Sequence, residues 1–325
     1  MKPVITIHWE DCPQKTGMNT GNFEILDHQL SAGTKGLLFN GDAVKTIEYL
    51  KENDIRLDFV YMDPPFGKNK KFTGRNREME YTDKSPDEIL SLLYMVFSGL
   101  KGIMNPKGSI VVHLDNVLGA SVRLLMDYIF SPENFRNQII WSYKSGGRAT
   151  RSYPKKYDIL LWYSMNKREW FFNSEESVTE STKCLECGQK LGRNHMKTVA
   201  LDNNKKVRVI KSAGKTYYYD AEKHPLLTDV WNDISHLHQL DPERTGYPTQ
   251  KPYNLLKRLL KIHVPPGGAV GDFFCGSGTS LVAASESGFR WIGADINPDA
   301  CDVAWKRILK IEGESVSEVD RFILR

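Results

Sequence analysis

An α/β fold built on a mostly parallel sheet follows from three features of the chain. Short runs rich in β-branched and aromatic residues recur along it: Leu57–Met62, Gly108–Leu114, Ala269–Phe274 and Arg290–Asp295. Segments with helical period lie between several of them. Three of these runs carry an aspartate at or just past their end, beside a turn rich in proline, glycine or asparagine. Ligands of open α/β sheets collect at that edge.

Taken in order, residues 1–22 are polar and weakly patterned and read as a loose arm. Gly36 to Leu50 holds a short strand, the Asn40-Gly41-Asp42 turn and a helix. Asp42 there is either a ligand edge or a helix N-cap. The run Leu57–Met62 reads as a buried strand, which places Asp63 at its carboxyl end. Pro64 and Pro65 fix the following turn and free the Pro64 carbonyl from any ladder. Asp63-Pro64-Pro65-Phe66 thus gathers a carboxylate, an open carbonyl and an aromatic face within four residues. An amino group can donate one hydrogen to each acceptor while its ring stacks on Phe66. The plainer reading is a strand-ending turn with a capping aspartate.

Gly67 to Asp83 carries Lys68, Lys70, Lys71, Arg75 and Arg77 without an apolar period, and reads as a mobile basic loop. Ser85-Pro86-Asp87-Glu88 then opens a helix: Ser85 as N-cap, Pro86 at the first position, Glu88 closing a capping box. Its apolar face is Ile89, Leu92, Leu93, Val96, Phe97 and Leu100. Asn137–Trp141 and Tyr157–Tyr163 read as an antiparallel pair completing the sheet. Residues 167–227 are polar and charged, with Lys and Arg interleaved among Tyr217, Tyr218 and Tyr219, and read as an insert. Thr245 to Pro252 leads into a helix with Leu255, Leu256, Leu259 and Leu260 on its buried face.

Past the break at Pro265–Gly268, a strand runs into Asp272-Phe273-Phe274-Cys275-Gly276-Ser277-Gly278-Thr279. Gly276 and Gly278 let a ligand approach the backbone. A helix follows from Thr279 to Ser287, stopped by Gly288. The next strand ends at Asp295, about twenty residues after Gly276, the spacing at which a carboxylate receives ribose hydroxyls in a βαβ nucleotide site. The third glycine of a dinucleotide fingerprint is absent, since Leu281 stands in its place. That argues against a nicotinamide or flavin.

Composition is compatible with this reading without deciding it. The 325 residues suffice for one large domain plus an insert, and the net charge of +4 permits nucleic-acid binding. Five cysteines without an evident framework fit a reducing cytoplasm. No apolar run reaches membrane-spanning length, and no membrane partner is expected. Cys184-Leu185-Glu186-Cys187 resembles half of a zinc knuckle that His195 and His224 would have to complete. Two free thiols are the preferred reading, and no metal is expected. His113, His236, His238 and His263 show no metal spacing and are given no role. Trp231 and Tyr247 are assigned to packing.

In order and content, these motifs resemble the amino-methylating DNA methyltransferases of the permuted β class, in which the catalytic tetrad precedes the cofactor loop. Asp63-Pro64-Pro65-Phe66 matches the family's catalytic motif in its adenine-N6 form rather than the Ser-Pro-Pro form usual for cytosine-N4. Phe274-Cys275-Gly276-Ser277-Gly278 matches its cofactor loop. Thr245–Pro252 matches the segment before that loop, and Asn40-Gly41-Asp42 a short motif near the cofactor adenine. Phe273 and Cys275 depart from the usual Pro and small residue, and neither removes a needed group. Cys275 is not read as a nucleophile.

The resemblance implies a Rossmann-like class I methyltransferase fold, a mostly parallel seven-stranded sheet with helices on both faces and circularly permuted motif order. It divides the chain into an arm (1–22), a catalytic half (23–166), a target-recognition insert (167–227) and a cofactor-binding half (228–325). It implies S-adenosyl-L-methionine as cofactor, held by Asp42, Lys251, Asp272, Phe274, Gly276, Ser277, Gly278, Thr279 and Asp295. It implies transfer of a methyl to adenine N6 in a specific sequence of double-stranded DNA, with base flipping, by Asp63, Pro64, Pro65 and Phe66. Cytosine-N4 methylation, RNA adenine methylation and a non-catalytic DNA-binding module with a relic pocket are the alternatives. A second copy of the chain and a cognate restriction enzyme are candidate partners to which the residues themselves do not point.

Overall fold

The computed structural model describes residues 35–66, 71–73, 80–82, 85–144, 149–178, 197–200, 206–212, 214–220, 226–312 and 319–323. The chain runs β1 (Gly36–Asn40), α1 (Ala43–Glu52), β2 (Leu57–Met62), β3 (Lys71–Thr73), β4 (Glu80–Thr82), α2 (Pro86–Ile103), β5 (Met104–Leu114), α3 (Gly119–Phe130), β6 (Phe135–Ser142) and β7 (Tyr157–Ser164). It continues through β8 (Lys197–Ala200), β9 (Lys206–Ser212), β10 (Lys215–Asp220), β11 (Val230–Trp231), α4 (Tyr253–His263), β12 (Ala269–Asp272), α5 (Thr279–Glu286), β13 (Arg290–Asp295), α6 (Pro298–Glu312) and β14 (Val319–Ile323).

Nine strands form the main sheet, in the order β11-β6-β7-β5-β2-β12-β13-β1-β14. All neighbours pair in parallel except β7, which is antiparallel to both β5 and β6. The sheet is therefore mixed, and it has nine strands where the sequence reading gives seven. The two short strands β11 and β14 lie at its opposite edges. Val230–Trp231 is too short to show a period, and Val319–Ile323 is interrupted by Asp320 and Arg321. Pairing with β6 and β1, far away in sequence, defines both.

Helices cover both faces. The apolar sides of α1, α2 and α3 pack on one face, around Ile47, Leu93 and Met126. Those of α4, α5 and α6 pack on the other, around Leu259, Leu281 and Ala304. Strands between two helix layers lose the inside–outside alternation, which is why β2 is buried along almost its whole length. The capping box of α2 forms as read: Ser85 Oγ accepts from Glu88 N, and Ser85 N donates to Glu88 Oε2 at 2.9 Å. Leu92 departs from the expected core face. It is half-buried and lines the cavity described below.

The missing third glycine has a counterpart across the interface. A Cβ built on Gly293 of β13 would lie 2.3 Å from Leu281 Cδ1. The close helix–strand approach that a helix glycine usually provides is here provided by a strand glycine, with Leu281 filling the gap.

Residues 71–73 and 80–82 correct part of the reading of 67–83 as a mobile basic loop, whose Lys68, Lys70, Arg75 and Arg77 lie outside the described residues. The two stretches pair as an antiparallel ribbon, Phe72 opposite Tyr81 in register. The alternation Lys-Phe-Thr and Glu-Tyr-Thr is too short to register as a strand period among so many charges. Within the expected insert, β8, β9 and β10 form a separate three-stranded antiparallel sheet. The arm at 1–22 and the ligands considered for zinc, Cys184, Cys187, His195 and His224, lie outside the described residues. Among the described residues, no helix is long and apolar enough to cross a membrane.

Gly293→Ala is expected to lower stability by about 1–3 kcal/mol, seen as a lower urea midpoint. The double variant with Leu281→Ala is expected to lose less than the two single losses combined, because the added methyl then has space. Simple additivity would contradict the packing.

Candidate active site

The carboxyl edge of the parallel strands opens into a cavity of about 380 Å³. Both sequence clusters reach it. Asp63, Pro64, Pro65 and Phe66, just past β2, line one part; Asp272, Phe274, Gly276, Ser277 and Thr279 line another, and Asp42, Lys251 and Asp295 complete the wall. Residues separated by more than two hundred positions thus share one site.

The rim is assembled around Asp295. Its Oδ2 accepts from Gly276 N at 2.8 Å and its Oδ1 from Asn297 N at 2.9 Å. Its carbonyl accepts from Gly41 N at 3.0 Å and from Asn40 Nδ2 at 3.1 Å. Burial raises the carboxyl's pKa, and the two amide donors oppose that. Both oxygens retain lone pairs for further donors such as ribose hydroxyls. Asp42 is the N-cap of α1, with Oδ1 accepting from Val44 N and Lys45 N at 2.8 and 3.2 Å. It still lies on the cavity wall.

The glycine loop is held from below. Gly276 and Gly278 take positive φ, +51° and +74°. A side chain at Gly278 would meet Ala304 Cβ at 2.6 Å. The Tyr247 ring covers Gly276, in keeping with its packing role. Arg307 of α6 clamps the loop: its Nη1 donates to the Ser277 carbonyl at 2.7 Å and lies 3.0 Å from Thr279 Oγ1. Ser277 and Thr279 therefore spend hydrogen-bonding capacity on Arg307. Cys275 is buried and its thiol pKa is pushed well up, chiefly by burial, which suits an inert thiol.

Asp272 is fully buried. Its oxygens accept from Ser280 Oγ and from Phe274 N. Burial raises its pKa to about 7, outweighing those two hydrogen bonds, and the charges of Asp63 and Asp295 push the same way. Its geometry makes it a brace under the loop.

At the other end, Lys251 forms an ion pair with Asp63 Oδ2, both side chains being mostly buried. The ammonium also lies 5.0 Å from the centre of the Phe66 ring. The loop before Lys251 is built on Gln250, whose Oε1 accepts from Thr245 N and Oγ1, and whose Nε2 donates to the Glu243 carbonyl. The resemblance places Lys251 among the residues that hold the cofactor; in the structure it is ion-paired with Asp63 of the tetrad. Asp63 Oδ1, by contrast, is buried with no hydrogen-bond partner among the described residues.

These features can be tested against a ligand. Four aspartates and one lysine are the charged residues of the lining. A pyrophosphate would be repelled there, whereas a ligand carrying sulfonium and ammonium cations beside ribose hydroxyls fits. Phe274, Tyr247 and Phe66 supply apolar walls. Sequence reasoning missed Arg307, whose partners Ser277 and Thr279 lie on a different element, and Ser280 and Asn297, which bond the nearby Asp272 and Asp295; it also missed the buried pair Tyr61 and His113. The one available signal was Tyr61, two positions before Asp63 and so on the same side of its strand.

This doubly wound sheet, together with a family match, assigns the chain to the methyl-transferring enzymes that use S-adenosylmethionine. The family model described as DNA methylase (N6_N4_Mtase) matches residues 57–306, and the chain belongs to that family. It is similar to the type II methyltransferase M.EcaI of Enterobacter cloacae, 27% identical over 288 residues, covering 76% of this chain and 64% of that protein's length. It is also similar to the DNA adenine methyltransferase YhdJ of Escherichia coli (strain K12), 25% identical, covering 83% of this chain and 82% of the relative. Among solved structures, the fold is shared with the M1.HpyAVI–SAM complex (TM-score 0.53, 18% identity, 84% of this chain and 98% of that one). It is shared too with the cytosine-N4-specific PvuII DNA methyltransferase (TM-score 0.57, 14% identity, 85% and 87%).

Asp272 gives a pH prediction. Its folded pKa, about 7, lies above the ordinary carboxylate range. Between about pH 4 and pH 7 the native state therefore holds a proton that the unfolded state has already released, and stability is lost as pH rises through that window. Relative to Asp272→Asn, which mimics the neutral acid, the wild type is expected to lose on the order of 2–4 kcal/mol across it. Chemical denaturation at several pH values reads this directly, and parallel curves would refute it.

Proposed function

We propose that this chain transfers a methyl group from S-adenosylmethionine to N6 of adenine within a specific sequence of double-stranded DNA. The observation that carries the reading is Asp63 Oδ1, a buried acceptor without a partner among the described residues, on the wall that also bears Pro64 and Phe66. Leaving such an oxygen unsatisfied costs about 1–3 kcal/mol, and the hydrogen of an amino group would satisfy it. Asp rather than Ser at position 63 and the likeness to a relative named as an adenine methyltransferase favour adenine.

Bound S-adenosylmethionine supplies an electrophilic methyl on a sulfonium sulfur; Asp42, Asp295 and the Phe274–Gly278 loop are the groups that would hold it. Asp63 Oδ1 and the Pro64 carbonyl accept the two hydrogens of the target amine. This draws the nitrogen lone pair out of conjugation with the ring. Phe66 stacks on the base. Lys251, bonded to Oδ2, fixes which carboxylate oxygen meets the amine. Asp63 Oδ1 is also placed to take the proton that the methylated amine sheds. Positioning and electrostatics carry the reaction, and no covalent enzyme intermediate is needed.

A base inside a duplex must leave the stack to reach Asp63, so the reading includes base flipping. The segment 167–227, with its small sheet and exposed Tyr217 and Tyr218, is the proposed target-recognition region. The order of the motifs, tetrad before glycine loop, supports the permuted β class. A cognate restriction enzyme and a second copy of the chain are the protein partners to test, in the cytoplasm.

Asp63→Ala is expected to abolish methylation while S-adenosylmethionine binding stays within a few-fold. Lys251→Met is expected to lower kcat about 10- to 100-fold and to leave cofactor Kd within about threefold, separating its bond to Asp63 from a bond to the cofactor. Mass spectrometry of nucleosides from treated genomic DNA decides the product. N6-methyladenine supports the reading, N4-methylcytosine replaces adenine by cytosine, and unmodified DNA with bound cofactor overturns it.

A further inference from the structure

Four adjacent strands of the main sheet each bring one polar side chain to a single row at its carboxyl edge. Tyr61 stands near the end of β2, two residues before Asp63, and His113 near the end of β5. Asp158 lies at the start of β7, which runs the other way and so begins where its neighbours finish. Tyr143 follows β6 directly. Tyr61 Oη and His113 Nδ1 are 2.8 Å apart, His113 Nε2 and Asp158 Oδ2 3.1 Å, and Tyr143 Oη and Asp158 Oδ1 3.0 Å. Tyr61 and His113 are buried, and the Trp141 ring meets the imidazole edge-on at 5.5 Å. Tyr61 also lines the cavity beside Asp63. The mechanism above uses none of the four.

A row of this kind is costly to bury unless every member is paired. Packing alone would be served as well by apolar residues. Counting hydrogens gives the row a direction. Burial would raise the Asp158 pKa, but the hydrogen bond from His113, the charge of Lys251 and the hydrogen bond from Tyr143 all lower it, and the net shift is downward. An ionised Asp158 has acceptors only. The hydrogen it shares with His113 therefore sits on Nε2, and Tyr143 donates to its other oxygen. Nδ1 is then free to accept from Tyr61. Burial first, and then the charges of Asp63, Asp272 and Asp158, push the Tyr61 pKa well up, so the phenol keeps that hydrogen to donate.

We propose that Tyr61, held by His113, Asp158 and Tyr143, is a positioning residue for the target base. The row fixes the phenol in one rotamer beside Asp63. Its hydrogen is committed to His113, so toward the cavity its oxygen can only accept. Such a group favours an entering amine and disfavours a carbonyl, in step with Asp63 and the Pro64 carbonyl. This inference rests on reading the cavity as the methylation site.

The test uses the full-length protein with Tyr61→Phe, Asp158→Asn and the double variant. Each single change is expected to lower kcat about tenfold, with KM for DNA and Kd for S-adenosylmethionine within about twofold. The double variant is expected to be no slower than the slower single one, because both break the same row. A wild-type kcat in Tyr61→Phe, or losses that multiply in the double variant, would overturn the proposal. So would a parallel fall of melting temperature and every kinetic constant, the mark of a merely structural role. Tyr61→Phe, which removes one oxygen, keeps the test valid if Asp158→Asn fails to fold. A second measurement is independent of activity: imidazole 15N NMR, with His113 identified by its loss in His113→Gln. A proton on Nε2 alone, with Nδ1 shifting in Tyr61→Phe, supports the row. A proton on Nδ1 overturns it even where methylation is found. If the wild type binds cofactor but methylates nothing, the proposed function falls, and these spectra still judge the arrangement of the row.

Discussion

The hydrogen bonds of Asp295 are the constraint on which the glycine-loop side of the cavity depends. One residue accepts from the glycine loop, from the turn before α6 and from the turn after β1. The carboxylate can be buried only because two backbone amides point at it, and those amides point at it only while the loop keeps its left-handed glycines. Arg307 and Asp272 brace the same loop from α6 and from the end of β12. Site and fold are therefore not separable here: the loop geometry that floors the cavity is also what satisfies the acid.

The cavity has a distribution of charge that fits its chemistry. Four carboxyl groups face one ammonium. Each acid is handled differently. Asp295 is met by backbone amides, Asp42 caps a helix, Asp272 is raised toward neutrality by burial, and Asp63 is paired with Lys251 on one oxygen only. The open oxygen of Asp63 is thus the exception in a region where the other acids are satisfied. Buried groups without partners concentrate at functional sites because a ligand completes them.

Much of this was legible along the chain. The strand ending at Met62, the capping box at Ser85 and the glycine loop before Thr279 are local patterns, set by residues within a turn or two of one another. Less legible was whatever depends on pairing. The edge strands β11 and β14 are too short or too charged to show a period, and the ribbon at 71–73 and 80–82 is hidden among lysines and arginines. Leu281 looked like a departure from a glycine fingerprint until Gly293 came to lie opposite it. Lys251 was read toward a cofactor because sequence shows its helix but not the strand end it faces.

By itself, then, the sequence determined the main helices and central strands, their order and the residue types at two strand ends, because turn chemistry, capping and hydrophobic period are short-range. Only the tertiary structure decided that the two ends, more than two hundred residues apart, form one cavity. It also decided that Lys251 takes one oxygen of Asp63 and leaves the other open, and that Tyr61, His113, Asp158 and Tyr143 join in a row. These relations follow from strand order in the sheet, which brings β2 between β5 and β12 and reverses β7. Order is set by which apolar faces bury together across the whole chain, and no single segment carries that information.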